Sequence, residues 1–242
     1  MKNSAFINDK LFAFEEGDTI LSFLKRNTEE SIPTLCHDPN LTPFGSCRLC
    51  SVEVANDKDG ETKVVASCHT PLSLGLYIYP HSKKIKKLRK NILELILSDH
   101  NYDCDNCDAD KNCDLQSAVE EHGDEKVRYT EGANHQSSVA DEDHPYLRSH
   151  LENCINCYRC IRACDEVQGQ FVLSMKGRGF DAQIIKGADQ SFSDSDCVSC
   201  GSCVQTCPTN AITDVFHKPL PASAVTTRTI CTYCGVGCNL DV

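Results

Sequence analysis

Apolar and polar positions alternate over residues 4–8 and again over 11–14, which predicts two short strands joined by a turn at Asp9. A helical period follows. Ile20, Leu21, Phe23 and Leu24 predict a helix that starts near Asp18, whose carboxylate suits an N-cap. Further strands are predicted at residues 51–55, 63–67 and 76–79. The strongest helical stripe comes next, with Ile85, Leu88, Ile92, Leu95 and Ile96 recurring inside residues 82–98. Lys83, Lys84, Lys86, Lys87, Arg89 and Lys90 alternate with that stripe and predict its wet face, with a docking patch for an acidic partner as the alternative. Residues 134–145 and 218–228 are polar and poor in apolar positions, and predict linkers.

No stretch reaches the roughly 18 apolar residues of a membrane span, and Met1 to Lys10 carries neither an apolar leader nor a twin arginine. The expectation is a soluble, cytoplasmic protein without a membrane span. A formal charge of −11 argues against nucleic acid as a partner, because phosphate neutralisation needs a basic surface. The composition holds 18 cysteines in 242 residues. An even number admits a disulfide framework, but that reading requires an exported, usually small, domain. Several small modules organised by metal fit the density better than one large core.

Every cysteine falls into a run with metal-cluster spacing. Cys36, Cys47, Cys50 and Cys68 form C-x10-C-x2-C-x17-C, the four thiolates a 2Fe–2S centre needs, and Gly45 lets the backbone approach an inorganic core. On spacing alone zinc stays open here, because four-cysteine tetrahedral sites also use C-x2-C pairs. His100, Cys104, Cys107 and Cys113 form H-x3-C-x2-C-x5-C, where three thiolates leave a four-iron cluster one ligand short. His100, Asp103, His122 or a water could complete it. Asp99, Asp103, Asp105, Asp108, Asp110 and Asp114 crowd the same stretch and depress its reduction potential through their field. Cys154, Cys157, Cys160 and Cys164 repeat as Cys197, Cys200, Cys203 and Cys207, each C-x2-C-x2-C-x3-C. That repeat is the most specific pattern in the chain. Cys231, Cys234 and Cys238 close it as C-x2-C-x3-C, one cysteine short of a cluster.

The words around these residues carry resemblances. "IPTLCHDPNLTPFGSCRLCSVEV" with "VVASCHTPL" resembles the N-terminal 2Fe–2S domain shared by the large iron–sulfur subunit of respiratory complex I, iron-only hydrogenases and some formate dehydrogenases. The resemblance implies a β-grasp fold. The same family carries a 4Fe–4S cluster held by one histidine and three cysteines at the spacing of His100, which implies His100 as the fourth ligand. The double run resembles the bacterial two-cluster ferredoxins, in which each fourth cysteine crosses over. That implies one 4Fe–4S cluster on Cys154, Cys157, Cys160 and Cys207, and a second on Cys197, Cys200, Cys203 and Cys164. The first run departs from the pattern, with Asp165 where proline is expected, and residues 165–196 are a longer insertion than a minimal ferredoxin has. "CTYCGVGC" resembles the start of the molybdopterin-dependent formate dehydrogenase and nitrate reductase superfamily, and points to the formate dehydrogenases.

The fold class expected is α+β. A β-grasp 2Fe–2S domain (1–80) precedes a small helical 4Fe–4S domain (81–133). After the 134–145 linker come a two-cluster ferredoxin domain (146–217), the 218–228 linker and the opening of a molybdopterin-type 4Fe–4S domain (229–242). The cofactors implied are one 2Fe–2S and three 4Fe–4S clusters, a fourth only if another cysteine is supplied, and molybdopterin only in a domain this chain lacks. The residues of formate chemistry are missing, so the chain is expected to be a gene fragment, a truncation, a split subunit or a stand-alone carrier, and not catalytic by itself. The functional expectation is the electron-transfer arm of a formate dehydrogenase, serving a flavin and NAD subunit, a ferredoxin or a hydrogenase. The alternatives are the iron–sulfur subunit of an NADH dehydrogenase or NAD-linked hydrogenase, and a zinc-loaded, non-redox scaffold.

Overall fold

The structure, a computed structural model, describes residues 3–123, 127–129, 140–216, 225–232 and 235–241. Strands β1 (Ser4–Ile7) and β2 (Lys10–Ala13) form an antiparallel hairpin, with Ser4 opposite Ala13 and Ile7 opposite Lys10. Its two turn residues, Asn8 and Asp9, have φ of 45° and 67°. Both angles suit the right-handed twist of a two-residue hairpin, and both residue types tolerate that conformation. Helix α1 (Ile20–Asn27) begins one residue later than expected: Thr19 is the N-cap and accepts the Ser22 N–H at 3.2 Å. Asp18 instead accepts from the Glu15 N–H and the Ser22 hydroxyl, each at 2.9 Å, and pairs with Arg26.

Strands β3 (Ser51–Ala55), β4 (Lys63–Ala66) and β5 (Tyr77–Tyr79) complete a mixed sheet of order β2-β1-β5-β3-β4, in which β1 and β5 are the parallel pair. Helix α1 lays Ile20, Leu21, Phe23 and Leu24 on one face of this sheet, against Ala5, Ile7, Val52, Val54 and Ile78. Every residue of β3 is buried. Val52 and Val54 face α1, while Glu53 reaches the start of helix α2 (Lys83–Leu97), where its carboxylate accepts the hydroxyl of the N-cap Ser82.

The buried stripe of α2 is Ile85, Arg89, Leu93, Glu94 and Leu97, and Leu95 lies 54% exposed. The stripe is therefore rotated from the one expected, and Arg89 leaves the wet face. It is among the largest fully buried side chains and donates to the carbonyls of Leu49 at 3.2 Å and Ser51 at 3.1 Å. These bonds offset the cost of burying the cation. Helix α3 (Asp114–His122) packs on α2, and Leu35, Leu49, Leu93, Leu97 and Leu115 form a leucine cluster between them and the loops before β3.

Beyond residue 140, strands β6 (Ala140–Asp141), β7 (Leu147–His150) and β10 (Ile212–Asp214) form an antiparallel sheet of order β10-β7-β6. Residues 140–145 thus carry structure where a linker was expected. Asp141 pairs with Lys186 at 3.0 Å and accepts the Phe192 N–H at 2.7 Å, and buried His144 accepts the N–H groups of Tyr146 and Leu147. Residues 134–139 and 218–224 of the expected linkers lie outside the described residues, and residue 228 opens a strand. Two very short helices, α4 (Arg159–Arg162) and α5 (Ser202–Thr206), lie within the two cysteine runs and carry Cys160 and Cys203. The insertion between the runs folds as the hairpin β8 (Leu173–Lys176) and β9 (Gln183–Lys186), followed by Phe192, which is 1% exposed. Strands β11 (Arg228–Ile230) and β12 (Asn239–Asp241) make a last hairpin. Among the described residues, no helix is long and apolar enough to cross a membrane.

Candidate metal centres

The loop between α1 and β3 brings Cys36, Cys47, Cys50 and, from the turn after β4, Cys68 together. Cys36, Cys50 and Cys68 are buried and Cys47 is half-buried. The Cys47 N–H lies 3.5 Å from the Cys36 sulfur. The hydrogen bond from the Cys47 thiol holds Cys36 down to about 4, against the opposing effect of burial. Cys68 acts on Cys50 in the same way, holding it down to about 6, and the donors Cys47 and Cys68 are pushed up in return. Two of the four sulfurs are thus poised as thiolates, the ligand form. The backbone around Cys50 is clamped from two sides. Arg89 donates to the flanking carbonyls, and the Ser67 hydroxyl donates to the Cys50 carbonyl at 2.7 Å. At the φ of 69° that Gly45 adopts, a Cβ would fall 2.4 Å from Cδ2 of the His69 ring, so the glycine also leaves room for that side chain.

Three cavities of similar size hold the next sets. One of about 330 Å³ is lined by His100, Cys104, Cys107 and Cys113. One of about 300 Å³ is lined by Cys154, Cys157, Cys160 and Cys207. The third, about 350 Å³, is lined by Cys164, Cys197, Cys200 and Cys203, with Leu147, Val172 and Phe192 as apolar walls. Each fourth cysteine of the double run therefore lies in the cavity of the other run. Asp165 in place of proline leaves Cys164 in position, with α4 running on into one π-helical turn over Ala163–Val167.

The sequence repeat is a backbone repeat as well. Asn156 and Ser199 have φ of 50° and 57°, and Tyr158 and Gly201 have φ of 65° and 76°. These reversals turn N–H groups inward: Asn156 donates to the Cys154 sulfur and Ser199 to the Cys197 sulfur, both at 3.4 Å. Ala109 does the same for Cys107 at 3.4 Å. Such donors stabilise thiolates.

His100 contributes a buried Nδ1 that has no hydrogen-bond partner among the described residues. Burial lowers its pKa to about 4, so the ring is neutral and carries a lone pair for a metal. Neither rival side chain lines this cavity. Asp103 accepts both bonds from the Asn106 amide, and His122 lies 3.5 Å from Glu121 at the end of α3. Burial pushes Cys154, Cys157 and Cys203 up to about 12 and Cys160 well above its ordinary range. Four thiolates could not share such a cavity without cations among them. Among the described residues, no three His, Cys, Asp or Glu side chains converge closely enough to hold a single ion. The cysteines surround a volume, and the donor set fits a polynuclear iron–sulfur core.

The sequence reading missed the side chains that join these sets. Arg159 on α4 donates to the Leu35 carbonyl at 3.4 Å, the Asp114 carboxylate at 2.9 Å and the Thr206 hydroxyl at 3.2 Å, and lies 3.3 Å from Asp38. One turn on, Arg162 donates to the carbonyls of Thr42 and Cys36 and sits over the Phe44 ring, 5.4 Å from its centroid. In the last hairpin the Cys231 N–H donates to the Cys238 carbonyl at 2.7 Å, which brings those two residues together. Cys234 lies outside the described residues.

Three stretches match known families. Residues 4–83 match the 2Fe-2S iron-sulfur cluster binding domain, residues 89–128 the NADH-ubiquinone oxidoreductase-G iron-sulfur binding region, and residues 144–213 the ferredoxin-like domain of NADH-quinone oxidoreductase subunit 3. A G-type subunit of the NADH-quinone oxidoreductase of Rhizobium meliloti is 32% identical over 238 residues, 98% of this chain and 27% of that protein. The NADPH-Fe(3+) oxidoreductase subunit alpha of Geobacter sulfurreducens is 33% identical over 216 residues, 87% of this chain and 24% of its own length. The chain thus spans about a quarter of these relatives. A crystal structure of an NAD+-reducing NiFe-hydrogenase superposes with a TM-score of 0.80 at 26% identity, covering 91% of each chain. These relatives favour the NADH dehydrogenase and hydrogenase alternative over the formate dehydrogenase expected from the tail. With the cysteine-lined cavities falling inside the matched stretches, this chain is built from 2Fe–2S and 4Fe–4S iron–sulfur domains of the kind found in the G-type subunits of NADH-quinone oxidoreductases.

Proposed function

We propose that the chain is an electron-transfer module of an NADH-quinone-oxidoreductase-like or NAD-reducing-hydrogenase-like enzyme, working beside a flavin and NAD subunit. In this reading Cys36, Cys47, Cys50 and Cys68 hold a 2Fe–2S cluster. His100 with Cys104, Cys107 and Cys113 holds a 4Fe–4S cluster, and the two crossed sets hold one each. The observation that carries it is the recurrence of three cavities of 300–350 Å³, each with four ligand-type side chains, inside domains related to iron–sulfur subunits. Bound clusters of these types supply one-electron transfer. The protein holds them: backbone N–H groups face the sulfurs, apolar walls keep water away, and Arg89 braces the Cys50 loop.

The test is anaerobic reconstitution of the full chain with iron and sulfide, followed by iron and sulfide analysis and electron paramagnetic resonance after dithionite reduction. Signals of both cluster types support the reading, and a colourless protein that takes up only zinc would sink it. His100→Cys sharpens it. Exchanging a neutral imidazole for a thiolate makes that site more negative, so its reduction potential should fall. An unchanged titration removes His100 from the ligand set.

A second reading, the front of a formate dehydrogenase, rests on "CTYCGVGC" and on the hairpin that brings Cys231 and Cys238 together. It is decided by the intact mass and metal content of the protein purified from its own host. A longer chain with molybdenum or tungsten favours formate dehydrogenase. Iron without either metal favours the first reading.

A further inference from the structure

Arg159 stands between two proposed ligands, Cys157 and Cys160, and its side chain is only 11% exposed. Each partner of its guanidinium lies within two residues of a ligand from another part of the chain. Leu35 and Asp38 flank Cys36, Asp114 follows Cys113, and Thr206 precedes Cys207. The Thr206 hydroxyl also donates to Asp38 at 2.7 Å, which closes the network. The centre on Cys164, Cys197, Cys200 and Cys203 has no ligand within two residues of these partners.

We infer that Arg159 is a positioning residue shared by three centres, the 2Fe–2S site, the His100 site and the Cys154–Cys207 site. It locks their loops together and acts on all three as one buried cation. A cation near a cluster lowers the energy of the state that has gained an electron, and it does so more strongly where water is excluded. One guanidinium holds five N–H donors in a fixed fork and can meet acceptors on several loops at once, whereas an ammonium keeps the charge with three donors and without that fixed geometry.

The inference rests on the cluster reading above, and the test separates the two. The full chain, reconstituted with iron and sulfide, is titrated redox-wise under electron paramagnetic resonance. Arg159→Met should lower the midpoint potentials of the three centres together and move the Cys164–Cys197 centre least. Asp38→Asn, which keeps the side-chain shape, should raise the 2Fe–2S and Cys154–Cys207 potentials together. Arg159→Lys should return the potentials toward the parent values, which a purely steric role would not predict. If Arg159→Met fails to hold its clusters, Asp38→Asn and Arg159→Lys decide the matter. A shift confined to the Cys154–Cys207 centre, or no shift, overturns the inference and leaves the cluster reading standing. A parent chain without iron–sulfur signals overturns both.

Discussion

The sheet around α1 and the double-run region after residue 140 differ in how much of their core is cysteine. In the sheet module the core is mostly aliphatic and aromatic, with Ile20, Phe23, Leu24, Val52 and Ile78 all fully buried, and Cys50 and Cys68 are two of its 14 buried members. In the double-run region Cys160, Cys164 and Cys203 are themselves core residues, with Cys154 and Cys197 packed against them. Its helices have four and five residues, too short to persist alone. On the proposed reading, the sheet module should fold around its larger hydrophobic core and then accept a cluster. The double-run region, whose smaller core is one-third cysteine and borders two cysteine-lined cavities, should depend on its clusters as structural elements.

Iron removal is the strongest way to break that contrast. In hydrogen exchange of the iron-free chain, residues 144–213 should lose protection while the five-stranded sheet keeps most of its own. Equal loss in both would refute the contrast. The converse experiment attacks the apolar core. Phe23, fully buried and edge-on to Phe12 and Phe14, should cost about 3–5 kcal/mol of sheet-module stability as Phe23→Ala, measured by urea unfolding. The resonance signals of the double-run region should survive that change.

Smaller changes sharpen the picture inside the sheet module. Thr19→Ala removes the cap of α1 and should cost about 1 kcal/mol in the same unfolding assay, while Asp18→Ala should not reproduce the loss of the cap itself. The smallest effect is expected where the sheet meets α2. The Ser82 hydroxyl, then Thr62 and Lys84, hold the Glu53 carboxyl below its ordinary pKa, with burial opposing them. A depressed folded value means that this contribution is present above the unfolded pKa of about 4.3 and is lost as pH falls through the folded one. Acid unfolding of the parent should therefore be slightly steeper than that of Glu53→Gln, and identical curves would remove Glu53 from the joint.

Local signals located much of this architecture. The strand over residues 51–55 and the helix over 82–98 are short-range patterns, and they stand where the periodicity puts them, within a residue at each end. The His100 set and the first three cysteines of each double run are grouped by spacing and also share a cavity, because such a site draws on nearby turns as well as on the fold. What was misread depended on distant partners. Arg89 lies four residues from both Ile85 and Leu93, a hint that it shares their buried stripe, but its acceptors are the carbonyls of Leu49 and Ser51. Residues 140–145 looked like a linker because their composition is polar, yet Asp141 is buried against Lys186, which only the β8–β9 hairpin brings near.

By itself, then, the sequence determined the inventory: the cysteine runs with their spacing, and a strand and helix order. These follow from spacing and residue type, which act over a few residues. The crossing of Cys164 and Cys207 was expected from the ferredoxin resemblance and not from spacing, and only the tertiary structure decided that Arg89 supports the Cys50 loop and that Arg159 bonds to the Leu35–Asp38 loop, Asp114 and Thr206. Those outcomes rest on pairings across 38 to 124 positions, and a buried cation or thiol takes its role from whatever the folded chain places opposite it.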